Sequence, residues 1–165
     1  MEKINPFFEK NAVKVEKFVS VDDYCPKSYD KNKTSPYTKT RIILLNGAEF
    51  EQTWFLHQFH RNCNNNDLRR EIAEIRRHEQ HQQKIISGLK SIDETDLETT
   101  IGYEQLAVDL TAILAKHVKD ENVKNALNFA LLEDFDHLYR FANLLESEQG
   151  LDAKTLTGGY TEITP

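Results

Sequence analysis

The chain has 165 residues, a formal net charge of −6 and two cysteines. That length fits one domain, and the acidic balance excludes a nucleic-acid binder built on a basic stripe and a polybasic membrane dock. Cys25 and Cys63 are too few for a disulfide scaffold or a cysteine-based structural zinc site, so they read as free thiols. No apolar run approaches the roughly 20 residues of a membrane span. Met1-Glu2-Lys3-Ile4-Asn5 lacks an apolar signal core. The expectation is a cytoplasmic protein with neither membrane nor nucleic acid as partner.

Residues 1–35 differ in texture from the rest. Val13, Val15, Phe18, Val19 and Val21 partly alternate with charge, and Cys25-Pro26 and Lys31-Asn32-Lys33-Thr34 read as turns. The segment is expected to be an extended N-terminal arm with at most one short strand. Its Phe7, Phe8 and Phe18 would pack on the main body or on a neighbouring subunit. No proline interrupts residues 37–164, and that favours long helices.

Ser35-Pro36 is a helix start, a capping hydroxyl followed by proline at the first helical position. The first predicted helix covers about 36–62, with Ile42, Leu45, Glu49, Gln52, Leu56 and Phe59 as its stripe. After Asn64-Asn65-Asn66-Asp67, with Asn66 or Asp67 as cap, the second covers about 67–88. Its stripe is Leu68, Ile72, Ile75, Glu79, Gln82, Ile86 and Leu89. Ser91…Glu94 and Thr95…Glu98 each resemble a capping box, so the third helix begins within 93–98 and ends near 118. Ile101, Glu104, Val108, Thr111 and Ala115 share its face. Asp120 caps the fourth helix, about 121–147, with Val123, Leu127, Ala130, Asp134, His137, Phe141 and Leu144 as its stripe. Residues 148–165 read as a short, loosely structured C-terminal tail.

Four amphipathic helices over 36–147 predict an all-α four-helix bundle. The join between the second and third helices could be a tight turn or a lengthwise crossover, and the pattern permits both.

Each stripe is interrupted near mid-helix by a carboxylate: Glu49, Glu79, Glu104 and Asp134. The first two lie at similar distances from the first interhelical turn, the last two at similar distances from the last. At about 1.5 Å per residue, each hairpin then brings its two carboxylates to nearly one height. His137 lies one turn beyond Asp134 on the same face. Four interior carboxylates repel one another strongly unless cations compensate. Oxygen ligands with an imidazole suit iron or manganese, and zinc is also accommodated.

Over about 36–147 this pattern resembles the ferritin-like di-metal carboxylate proteins, in which two helices each give a Glu and two each give a Glu-x-x-His pair. Glu49 and Glu104 match the single-Glu helices, and Asp134-Phe135-Asp136-His137 matches one pair with Asp for Glu. In Glu79-Gln80-His81-Gln82 a glutamine occupies the histidine position. The whole stretch from Asn5-Pro6-Phe7-Phe8 through Tyr160-Thr161-Glu162-Ile163-Thr164-Pro165 is similar to a bacterial ferritin-like family. The resemblance implies two metal ions, iron or manganese, and the departures at Gln82 and Asp134 make one of the two positions weak or empty. His78 or His81 could stand in for Gln82, and Glu133 could replace Asp134 as partner of His137.

Other features have plainer readings. His57 and His60 read as a surface pair near Glu71 or Glu74, and Arg69-Arg70 and Arg76-Arg77 as a solvated face. Tyr103 and Tyr139 read as core aromatics rather than redox neighbours, Trp54 as core or interface, and His117 as a helix-dipole partner.

Three functions fit. The first is an oxidoreductase acting on O₂ or peroxide, with an unidentified external electron donor, since no Cys-x-x-Cys pair supplies a rubredoxin-type domain. The second is iron handling without turnover. The third is a structural or interaction protein with an empty site. A homo-oligomer, in the simplest case a dimer, is expected.

Overall fold

The computed structural model describes residues 26–158. These are 79% helical, with no strand among them. The aromatic positions Phe7, Phe8 and Phe18, the strand expected within the arm, Cys25 and the Tyr160–Pro165 segment lie outside the described residues.

Local signals set the helix limits. In α1 (Pro36–Asn62), Ser35 accepts from the Thr38 backbone N–H and Pro36 opens the first turn. Asn65, one residue before the expected caps, begins α2 (Asn66–Ser87) by accepting from the N–H groups of Asp67 and Leu68. Of the two capping-box candidates, Thr95 and Glu98 form the reciprocal pair that starts α3 (Asp96–His117). Asp120 caps α4 (Glu121–Gln149), which ends at Gly150 with φ +66°. A fifth helix, α5 (Ala153–Thr157), lies in the segment expected to be a loose tail; Asp152 caps it and Gly158 closes it at φ +61°.

The eight-residue join 88–95 stays at one end of the molecule and is no lengthwise crossover. Lys90, just past α2, donates to the Tyr103 hydroxyl at 2.7 Å. Tyr29 spans the same join, its N–H on the Leu89 carbonyl at 2.8 Å and its hydroxyl on Glu94 at 2.8 Å. Lys39, near the start of α1, pairs with Glu94 at 3.1 Å. The start of α1, the end of α2 and the start of α3 therefore meet, and successive helices run antiparallel.

Packing is by hairpins. α1 lies on α2 and α3 on α4, and α1 on α3 links the two. The link is close at Gly102, where a Cβ would stand 3.1 Å from Ile43 Cδ1. Ile43, Ile72, Ile101, Leu106, Val108, Ala115 and Leu145 form the buried apolar core. α5 packs on α3 and α4, and Gly158 fits against Pro36, whose Cγ would lie 3.2 Å from an added Cβ.

The inward faces are rotated from several expected stripes. On α1 the buried positions are Thr40, Ile43 and Glu49, whereas Leu45 and Phe59 are exposed. On α2 Ile72 is buried, but Leu68 and Ile75 are exposed. On α4 Leu145 is buried, but Val123 and Leu144 are exposed. Tyr103 and Tyr139, expected in the core, are exposed too. Among the described residues no helix is long and apolar enough to cross a membrane.

Candidate metal centre

The first hairpin places one carboxylate inside. Glu49 follows Ile43 and precedes Leu56 on the inner side of α1, and is 7% exposed. From α2, Gln82 donates its amide to Glu49 Oε1 at 2.9 Å. The adjacent Gln83 donates at 3.1 Å to Oδ1 of Asn46, one turn before Glu49. The two amides pin the register that brings Glu79 against Glu49. Burial pushes the Glu49 carboxyl above its ordinary pKa, contact with the Glu79 carboxyl and its charge push it further, and the Gln82 amide pulls the other way. Glu49 Oε2 is buried with no hydrogen-bond donor. Two carboxyl groups in contact set acceptor against acceptor. A shared proton or a cation resolves that conflict.

The second hairpin is wetter. His137 Nδ1 stands 3.7 Å from Glu104 Oε2, with the imidazole 50% and the carboxylate 19% exposed. That separation exceeds a hydrogen bond. It leaves both groups with free lone pairs once the imidazole is neutral. Asp134, one turn before His137, accepts from the Thr111 hydroxyl at 2.8 Å.

The expected ligands thus fall into two half-sites, Glu49, Glu79 and Gln82 on α1–α2 and Glu104, Asp134 and His137 on α3–α4. Among the described residues no three His, Cys, Asp or Glu side chains are grouped to hold one ion. Of the substitutes, His78 and Glu133 are exposed and His81 is half-buried. Each half nevertheless has the donor chemistry of a divalent-cation site. The first offers hard oxygens and an unsatisfied buried acceptor, the second a carboxylate beside an imidazole.

Several buried polar groups were not singled out from the sequence as candidate site residues. Asp109 is fully buried, Gln105 is 2% exposed and Glu98 is 7% exposed. Asp109 carried a signal, since it interrupts the run Leu106-Ala107-Val108-Asp109-Leu110. Glu98 is held by Lys31 at 2.9 Å as well as by the α3 cap. Arg76 does not lie on a solvated face: its Nε is buried and its Nη1 meets His57 Nδ1. His57 in turn stacks on Trp54 rather than facing Glu71 or Glu74.

Comparison with protein-family profiles, with curated proteins and with solved structures returns no significant match.

Proposed function

We propose that the chain is a divalent-cation-binding helical protein of ferritin-like, four-helix-bundle character, with Glu49, Glu79, Glu104, Asp134 and His137 as ligands to iron or manganese. The observation that carries this reading is Glu49 Oε2, a buried carboxylate oxygen without a donor, set against a second carboxyl. An isolated buried charge of this kind is costly, and a cation between the two carboxylates removes the cost. Gln82 serves by orienting Glu49 from its free side. Glu104 and His137 supply the corresponding oxygen and nitrogen of the second half. A centre shared by both halves requires the hairpins to approach one another.

Bound iron or manganese would supply redox chemistry toward O₂ or peroxide, with electrons from an external donor. A stripe on α4 supports self-association: Phe129, Leu132 and Tyr139 share one face and are 67%, 69% and 69% exposed.

A second reading has its own support. Gln82 satisfies Glu49 Oε1 and Thr111 satisfies Asp134 Oδ2 within the separate hairpins, as in a structural protein with a hydrogen-bonded polar interior. Metal analysis of the full chain, purified without chelator, separates the two. Iron or manganese lost on Glu49→Gln with helicity unchanged supports a metal protein. Metal content no higher than in a chelator-treated control supports the structural one.

A further inference from the structure

An open recess of about 330 Å³ lies between α1 and α2, lined by Phe50, Thr53, Trp54, His57, Arg76 and Gln80. It begins one helical turn from the Glu49–Glu79 pair, since Thr53 is four residues after Glu49 and Arg76 three before Glu79. Its polar groups are mismatched to the protein around them. Arg76 Nε and Thr53 Oγ1 are both buried, and neither has a hydrogen-bond partner. Arg76 spends one nitrogen, Nη1, on His57 Nδ1. A guanidinium only donates, so Nδ1 is the acceptor in that contact. Among the described residues no carboxylate pairs with Arg76, although Glu79 is only three residues away and faces Glu49 instead.

The recess therefore holds one fixed positive charge, with an unused donor on the guanidinium and a second on Thr53 in the same lining. Its other walls are aromatic. Trp54 is 56% and Phe50 64% exposed. The indole is held in orientation by its stack on His57, at 6.0 Å between centroids and 28° between planes.

We propose that this recess binds a small organic monocarboxylate with a flat apolar body. The carboxylate is taken by Arg76 and Thr53, and the body lies against Trp54 and Phe50. A guanidinium matches a carboxylate in shape as well as charge. One cation with no lysine or second arginine in the lining suits a monoanion better than a phosphate dianion. A volume of about 330 Å³ is that of a small-ligand site. The inference stands whether or not Glu49 and Glu79 hold a cation.

Trp54 is the only tryptophan in the chain, so its fluorescence reports directly on the recess. The test is titration of the full chain with benzoate, and in parallel with benzyl alcohol and inorganic phosphate, to about 10 mM. A saturable Trp54 response to benzoate is expected, with about tenfold or greater weakening for the uncharged alcohol and for R76Q. R76K should bind at an intermediate level, and circular dichroism confirms that each variant is helical. If R76Q does not fold, the comparison of benzoate with benzyl alcohol on the native chain still decides. No response to benzoate, an equal response to the alcohol, or phosphate binding as tightly as benzoate would overturn the proposal. So would light scattering that shows benzoate dissociating a dimer, because the carboxylate in the recess would then come from a second copy.

Discussion

The Gln82 side-chain amide donates to Glu49 Oε1 at 2.9 Å, from the helix position where a ferritin-like pattern carries a histidine. An amide in that place fixes a carboxylate by hydrogen bonding and brings no charge and only a weak oxygen ligand of its own. Gln82→His puts an imidazole beside Glu49 and Glu79, a better ligand for iron, manganese or zinc. Bound manganese or iron per chain should rise toward two, measured by elemental analysis and by calorimetric titration with Mn(II). An unchanged stoichiometry would remove Gln82 from the neighbourhood of a metal.

The contact between Glu49 and Glu79 has a pH signature. The Glu49 carboxyl is raised above its ordinary value of 4.5 by burial and by Glu79. The folded chain therefore holds this proton more tightly than the unfolded chain. The associated penalty is absent below the unfolded pKa and grows as pH rises through the folded one. In chelator, Glu49→Gln should be more stable than the native chain at pH 7.5, by about 1 kcal/mol, and should lose that advantage near pH 4. Added Mn(II) should reverse the order. At a hundred to a thousand times its dissociation constant it adds about 3–4 kcal/mol to the native chain and little to the variant. Urea unfolding at the two pH values, with and without Mn(II), checks each part.

Much of the fold was written locally in the chain. Ser35-Pro36, Asp120 and Thr95…Glu98 are side-chain signals that act within a few residues of themselves. They place the helix starts where the structure has them. The inward faces were less legible. Ile42 and Ile43 are adjacent and equally apolar, and a choice between them rotates the helix by about 100°. On α1, Phe50, Trp54, Phe55 and Phe59 spread aromatic surface over more than one face, so no single stripe dominates. The polar partners were hidden for a different reason. Whether Arg76 is solvated or buried against His57 depends on the packing of α1 on α2, which no spacing within α2 reveals. The meeting of Glu49 with Glu79 was legible because a short turn fixes their relative height, whereas on the second hairpin His137 faces Glu104 and Asp134 turns to Thr111. The distance between the two hairpins is fixed by no such turn.

Glu98 should behave oppositely to Glu49 on acidification. Burial favours its neutral form, but the Thr95 backbone N–H and the Lys31 ammonium outweigh that and hold its carboxyl below the ordinary value of 4.5. Its contribution is thus present above that value and is lost as pH falls through the folded pKa. Lys31 is 27% and Glu98 4% exposed at the side chain. Lys31→Met should cost about 1–2 kcal/mol at pH 7 and less at pH 3. Thr95→Ala removes the cap hydroxyl and should cost about 1 kcal/mol. Thermal unfolding of both variants at the two pH values tests the assignment. An equal loss at both pH values for Lys31→Met would mean that packing of its aliphatic stem, not its charge, holds the segment.

The contact of Gly102 with Ile43 offers a way to ask whether the half-sites act together. A Cβ on Gly102 would stand 3.1 Å from Ile43 Cδ1, the tip of a side chain that can yield by a few tenths of an ångström. Gly102→Ala also gains about 1 kcal/mol of helix propensity, so its net effect should be small. Gly102→Leu cannot be absorbed in this way and should cost about 1–3 kcal/mol. Ile43→Ala alone should cost about 2–5 kcal/mol. Combined with Gly102→Leu it should cost less than the sum, because the added leucine fills the space vacated by the isoleucine. None of these changes touches Glu49, Glu79, Glu104, Asp134 or His137. If one centre spans the two hairpins, Gly102→Leu should weaken Mn(II) binding by about tenfold or more while the helices remain intact, since about 1.4 kcal/mol of lost approach is enough. Unchanged affinity would mean that each hairpin binds its cation alone, and calorimetric titration of the two chains side by side distinguishes these outcomes.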